Sequence, residues 1–230
     1  MCRSFSRKAR SMGRRLRLPR LYPITDLKLA RARSHAALVR ALAREGFPLV
    51  QMRDHALAGR GFYEQALGAA SAARRLGVTL LINDRVDVAL AVGADGVHLG
   101  DSDIPPKEAR RILGKKSIIG YSTHSLKEAL QAVRSGGMDY IAIGPIFETK
   151  TKPSSRRLLG PDVIRHIKRR IDLPLVAISG ITPRNVSEIW EAGADSAAVI
   201  SALMRGSLSR NVEKFRKAQK LFEDGAAAPS

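Results

Sequence analysis

Two carboxylates leave the ends of short apolar runs in the first half of the chain. Asn83-Asp84-Arg85-Val86-Asp87 follows Val78-Thr79-Leu80-Leu81-Ile82, and Asp101-Ser102-Asp103 follows Gly96-Val97-His98-Leu99-Gly100. A short β-branched run reads as a buried strand. An amide and a carboxylate at its exit are expensive in a core and useful at a site. Asp84 and Asp103 suit Mg2+, which takes few carboxylates and completes its shell with waters and phosphate oxygens. Asp is also a good helix N-cap, so each has a structural reading too, most seriously Asp103 just before Pro105-Pro106.

Other apolar runs end in the same way. Polar residues follow them at Gln51, Arg53, Asp54 and His55, at Ser122, Thr123 and His124, at Ser179-Gly180, and at Ser201. Thr149-Lys150-Thr151-Lys152 opens a long loop, 148–159, that also holds Arg156 and Arg157. Hydroxyls and cations on such a segment suit a phosphate and can close over it; the alternative is an exposed polar loop. Gly180 and Ser201 end the last two apolar runs, where barrels often build a backbone N–H cradle for phosphate, though either can be an ordinary turn residue. His98, inside an apolar strand, reads as a packed, hydrogen-bonded histidine. His124 follows a strand exit, so packing alone accounts for it less well. Cys2 and His35 point to no chemistry. There is no zinc-type spacing and no Gly-x-Ser-x-Gly elbow.

The elements that must position these residues alternate without a composition break after Arg20. Strands are expected over 21–25, 49–52, 79–82, 96–99, 117–121, 140–143, 175–178 and 197–200. Helices are expected over 35–44, 62–76, 86–92, 107–113, 125–134, 161–170, 183–191 and 212–221. Gly93-Ala94-Asp95, Gly137-Met138-Asp139 and Gly193-Ala194-Asp195 repeat one helix-to-strand turn. Eight such units predict an α/β fold with a single (β/α)8 TIM barrel over 21–222, a disordered basic extension over 1–20 and a flexible tail over 223–230. A doubly wound open sheet is the alternative, but no Gly-x-Gly-x-x-Gly follows the first strand. In the barrel, all the strand ends named above converge on one rim.

The net charge is +19, and hydrophobic content is 44%. Eight of the basic residues lie in 1–20, which has no Asp or Glu. That segment lacks the apolar core of a secretory signal and loosely resembles a transit peptide. It reads as a disordered extension, or as the product of a start upstream of a true start at Met12. The basic body suggests anionic partners. With 5% aromatic residues, a base-stacking surface has little support, so phosphorylated small molecules are expected rather than nucleic acid. No run is long enough to span a membrane. One cysteine allows no intrachain disulfide and fits a cytoplasmic protein. A homodimer is compatible with the sequence.

The ordered series Gln51-Met52-Arg53, Asn83-Asp84-Arg85-Val86-Asp87, Gly96-Val97-His98-Leu99-Gly100, Ser122-Thr123-His124-Ser125, Gly144-Pro145-Ile146-Phe147, Thr149-Lys150-Thr151-Lys152-Pro153, Gly180-Ile181 and Val199-Ile200-Ser201 resembles the thiamine phosphate synthase family. That superfamily also contains the thiazole tautomerases. The resemblance runs from Leu21 to about Met204. It implies a transferase that joins 4-amino-2-methyl-5-hydroxymethylpyrimidine diphosphate to 4-methyl-5-hydroxyethylthiazole phosphate. It implies that Gln51, Arg53 and Asn83 hold the pyrimidine diphosphate and that Asp84 and Asp103 bind Mg2+. Ser122 and Lys152 would contact the diphosphate or the developing cation. Thr149, Thr151, Gly180, Ile200 and Ser201 would bind the thiazole phosphate. Arg53, Ser122 and Lys152 are thus the expected catalytic residues.

Three positions depart from the family pattern. Asp54-His55 stands where Glu-Lys is usual, Asp101 where Gln is usual and Ser179 where Gly is usual. A histidine is largely neutral at pH 7, so His55 is expected to weaken the diphosphate site. The tautomerase branch is the competing expectation. It resembles the chain in Ser125-Leu126-Lys127-Glu128-Ala129 and Phe147-Glu148-Thr149, and would make His124 an acid/base. Asp84, Asp103, Thr151 and Lys152 oppose it, since a tautomerase needs no diphosphate site. A third expectation is a catalytically degenerate barrel that binds phosphate ligands or nucleic acid through its charge.

Overall fold

The computed structural model describes residues 16–149 and 157–226. Strands β1 (Leu21–Thr25), β2 (Leu49–Met52), β3 (Thr79–Asn83), β4 (Gly96–Leu99), β5 (Ile118–Thr123), β6 (Tyr140–Ile143), β7 (Leu175–Ile178) and β8 (Ser196–Val199) run in sequence order around a closed barrel. Every neighbouring pair is parallel, including β1 with β8. The (β/α)8 expectation is met. The helices are α1 (Leu27–Ala30), α2 (His35–Arg44), α3 (Gly59–Leu76), α4 (Val86–Val92), α5 (Pro106–Leu113), α6 (Leu126–Ser135), α7 (Asp162–Lys168), α8 (Val186–Glu191), α9 (Ser201–Met204) and α10 (Leu208–Ala226).

The two-residue period of the strands divides the core into two shells. Tyr22, Ile24, Leu49, Leu81, Ile118, Tyr140, Ala142, Val176 and Ala198 point inward and pack together. Leu16 and Leu18, in the segment before β1, pack against that inner cluster. The alternate residues, such as Val50, Met52, Leu80, Ile82, Ile119, Ile141 and Ile143, meet the helices in a larger outer core. Both faces of each strand are therefore covered, which is why the strands read as continuous apolar runs.

The repeated Gly-x-Asp turn has a structural explanation. Asp95, Asp139 and Asp195 each enter a strand, and each carboxylate accepts a backbone N–H from the start of the preceding strand. The donors are Leu80 at 2.9 Å, Ile119 at 2.7 Å and Leu175 at 2.8 Å. The peptide N–H of each Asp returns a bond to the carbonyl of that same residue. Two strand ends are thus pinned by one residue, away from the rim where polar groups gather. Arg110 and Lys168 pair with Asp139 and Asp195, each at 2.7 Å.

Several element bounds differ from the sequence expectation. Helix α3 starts at Gly59, three residues before 62, and strand β5 reaches Thr123 rather than ending at 121. Helix α8 begins at Val186, because Asn185 first closes a turn by accepting the Thr182 N–H at 2.7 Å. Ser201, expected as a plain strand exit, opens the short helix α9. The last helix, Leu208–Ala226, exceeds 212–221 at both ends and enters the segment expected as a tail. Among the described residues no helix is long and apolar enough to cross a membrane.

Candidate active site

Residues from all eight strand ends line one cavity of about 360 Å3. The cavity lies at the carboxyl-terminal rim, where a parallel barrel places side chains from successive strands within reach of one ligand. Of the residues expected from the sequence, Gln51, Arg53, His55, Asn83, Asp84, Asp103, Ser122, His124, Thr149, Gly180, Ile200 and Ser201 all line it. Thr151 and Lys152 lie outside the described residues.

The capping alternative does not describe the two carboxylates. Helix α5 has Pro105 at its N-cap position with no side-chain cap bond. Asp103 instead turns back, and its Oδ2 accepts the Gly100 N–H at 2.7 Å. That bond closes the turn after β4. Helix α4 has Arg85, not Asp84, at its N-cap position. Asp84 adopts φ +63, a left-handed backbone that Asp tolerates better than most residues. Its N–H is held by the His98 carbonyl at 2.8 Å. Among the described residues no three His, Cys, Asp or Glu side chains gather as a metal cage. Two carboxylates on one cavity wall fit an ion that draws its other ligands from water and phosphate.

Arg53 sits on the same wall, half-buried. Burial pulls its guanidinium below the usual value, against the opposing pull of Asp84, Asp26 and Asp54. An arginine still remains charged in such a place, and a partly desolvated cation attracts anions more strongly than one in water. Asp54, expected among the exit residues, faces away from the cavity. Its carboxylate accepts the N–H groups of Ala56 at 2.8 Å and Leu57 at 3.2 Å, and faces His35 Nε2 at 3.1 Å. His35, which points to no chemistry in the sequence, is fully buried. It is held at Nδ1 by the Thr25 hydroxyl at 2.8 Å. This buried corner fixes the turn that carries Arg53 and His55.

Across the barrel, the exits of β7 and β8 line the cavity with small and neutral residues, among them Ser179, Gly180 and Ser201. Gly180 has φ +68, and a Cβ there would lie 2.4 Å from the Glu148 carbonyl oxygen. Only glycine lets the β7 exit pack against the base of the 148–159 loop. The preceding residue, Ser179, has φ +83 and holds the Phe147 N–H at its carbonyl. This is a position where any side chain is strained.

The floor comes from inside the barrel. His98 is buried, as expected of a packed histidine, yet it also lines the cavity. Nδ1 meets the Tyr140 hydroxyl at 2.8 Å and Nε2 the Ser122 hydroxyl at 2.9 Å. Burial alone lowers its pKa to about 4. Tyr22 and Tyr140, both buried, join hydroxyls at 2.8 Å. Gln51 Nε2 donates to Tyr22 at 2.7 Å. Burial raises the pKa of both phenols. His124 donates from Nδ1 to the Gly144 carbonyl at 2.8 Å, and Glu128 accepts its backbone N–H.

Residues 21–203 match the family model described as thiamine monophosphate synthase. A thiamine-phosphate synthase of Chloroflexus aurantiacus is 48% identical over 185 residues, covering 80% of this chain and 85% of that protein. One from Syntrophomonas wolfei is 43% identical over 204 residues, covering 88% and 96%. Among solved structures, the thiamine phosphate pyrophosphorylase of Pyrococcus furiosus superposes with a TM-score of 0.77 at 36% identity, covering 88% of this chain and 96% of that one.

Proposed function

This chain belongs to the thiamine monophosphate synthase family, and from that premise we propose how its cavity joins a pyrimidine diphosphate to a thiazole phosphate. The activity is that of a thiamine-phosphate synthase, a transferase of thiamine biosynthesis. The C–O bond between the pyrimidine methylene and the diphosphate breaks, and its electron pair leaves with diphosphate. The thiazole nitrogen lone pair then forms the new C–N bond. Atoms balance with no covalent enzyme intermediate and no external base.

The observation that carries this reading is one cavity lined by Arg53, Asp84 and Asp103 from the exits of β2, β3 and β4 and, across the barrel, by Gly180 and Ser201 from the exits of β7 and β8. Arg53 and Asn83 would bind the diphosphate, and Ser122 would donate to it. Gly180, Ile200 and Ser201, with Thr149, would take the thiazole phosphate. Thr151 and Lys152 would add their hydroxyl and ammonium from the loop. Asp84 and Asp103 would hold Mg2+, which would offset charge on the departing diphosphate. Arg53 acts in the same sense, since charge grows on the leaving oxygen and a preorganised cation meets it without reorganising solvent. Holding both substrates in one cavity supplies the rest, because the thiazole needs placement more than activation.

Incubation with both substrates and Mg2+ should yield thiamine phosphate and diphosphate in equal amounts, and a chelator should stop it. Isomerisation of a thiazole carboxylate phosphate in place of coupling, lost in His124→Ala, would move the chain to the tautomerase branch.

A further inference from the structure

Five side chains form an unbroken chain of hydrogen bonds across the floor of the cavity. It runs from Gln51 Nε2 to Tyr22 Oη, to Tyr140 Oη, to His98 Nδ1, and from His98 Nε2 to Ser122 Oγ. The first four residues are buried, and both ends line the cavity. The rings are held in place. Tyr22 meets Tyr140 edge-on and His98 stacks on Tyr140 at 5.5 Å. Gly120 leaves the space, since a Cβ there would fall 2.1 Å from the Tyr140 ring.

A hydroxyl carries one proton, and a neutral imidazole carries one. Where every buried proton finds a partner within the chain, the direction of any one link sets all the others. With the Gln51 amide N–H donating to Tyr22, the buried Tyr22 proton finds its partner in Tyr140, and the Tyr140 proton in His98 Nδ1. His98 then donates from Nε2 to Ser122 Oγ. The Ser122 proton is left to point at a ligand, and Gln51 keeps its carbonyl oxygen for one. In the reverse direction Ser122 would spend its proton on His98 and turn only lone pairs to the cavity. That arrangement would repel an anion.

We propose that Tyr22, Tyr140 and His98 are positioning residues of a one-way relay, which holds His98 as the Nε2–H tautomer and makes Ser122 a donor to the anionic end of the substrate. The assignment of the anion rests on the reading of Ser122 as a diphosphate contact. A ligand that donates at Gln51 and accepts at Ser122 matches both ends, and an amino-pyrimidine carrying a diphosphate has that pair. Such chains strengthen one another's bonds by polarisation, so charge growing on the leaving oxygen is felt along the relay.

Nitrogen-15 NMR of the histidine-labelled chain, with His98 assigned by its loss in His98→Gln, reads the tautomer without any substrate. A bare Nδ1 and a protonated Nε2 support the relay; a proton on Nδ1 overturns it, whatever reaction the enzyme performs. Kinetics then test its use. Tyr140→Phe should lower kcat about tenfold, the scale of one hydrogen bond, with KM for the pyrimidine diphosphate within about twofold. Added to Ser122→Ala it should cost nothing more, because the two act as one unit. A double variant that loses the product of the two single effects overturns the proposal. Tyr22→Phe cuts the same relay one link earlier and replaces Tyr140→Phe should that variant not fold.

Discussion

The floor and the rim of the cavity are made by opposite means. The floor consists of neutral polar side chains from strand interiors, paired in one chain whose middle members, Tyr22 and Tyr140, are buried and whose ends reach the cavity. The rim consists of charges and backbone groups beyond the strand ends, with left-handed backbone at Asp84 and Ser179. The difference divides the labour. A buried network of neutral groups can fix direction and shape because each inner member has both its partners. Charges that must meet an anionic substrate have to stay where ligand and water reach them.

The rim should be the more costly region to break in catalysis. Asp84→Asn keeps a residue that tolerates φ +63 while removing a charge. We expect kcat/KM to fall by about a thousandfold, the scale of losing electrostatic stabilisation of a leaving group, with thermal stability little changed. A floor variant tests the contrast. Tyr140→Phe should give the much smaller, kcat-only loss described above, and an equal loss in the two variants would erase the distinction.

The floor should dominate instead in the response of stability to acid. His98 has a folded pKa of about 4 against 6.5 unfolded. Between those values the unfolded chain binds more protons, so stability is fully present above pH 6.5 and falls as pH drops toward 4. The loss is on the order of 3 kcal/mol, because each tenfold change in a proton-binding constant is worth about 1.4 kcal/mol. Urea unfolding at a series of pH values should show it, and His98→Gln should remove most of it. The smaller remainder would come from His35, whose pKa burial also lowers despite the hydrogen bond and charge of Asp54. A pH dependence identical in the two proteins would contradict this account of the floor.

Two smaller effects sharpen the rim. His55→Lys should raise kcat/KM severalfold by placing a cation beside the diphosphate, about the strength of a partly exposed ion pair. No gain would mean that another basic residue already fills the role. Ser179→Gly should stabilise the fold by about 0.5 kcal/mol, the strain at φ +83 less the entropy that glycine gains in the unfolded chain. A destabilisation would mean that the serine hydroxyl makes a contact worth more than the strain.

The rim and the cavity-lining members of the floor are legible in the sequence and the two tyrosines between them are not, for one physical reason. A charge at the end of a β-branched run cannot belong to the core, so Arg53, Asp84 and Asp103 stand out. Tyr22 and Tyr140 look like core residues and are core residues; what makes them part of the site is a hydroxyl contact across 118 positions of chain. Nothing local encodes that contact, because it depends on closing the barrel. His35 is silent for the same reason, since its partner Asp54 lies on another strand exit. The Gly-x-Asp repeat is visible as a pattern, but its bond to the preceding strand emerges only in the fold. Helix α9 escapes because a single turn carries too little periodicity to read.

The central claim is that the rim supplies the charge stabilisation for a coupling reaction. The most direct test is the initial rate of thiamine phosphate formation against Mg2+ concentration, for the native chain and Asp84→Asn. The account predicts a saturable Mg2+ activation in the native enzyme that Asp84→Asn loses or shifts to far higher concentration. Equal Mg2+ dependence in the two, or product formation that ignores Mg2+ altogether, would contradict it.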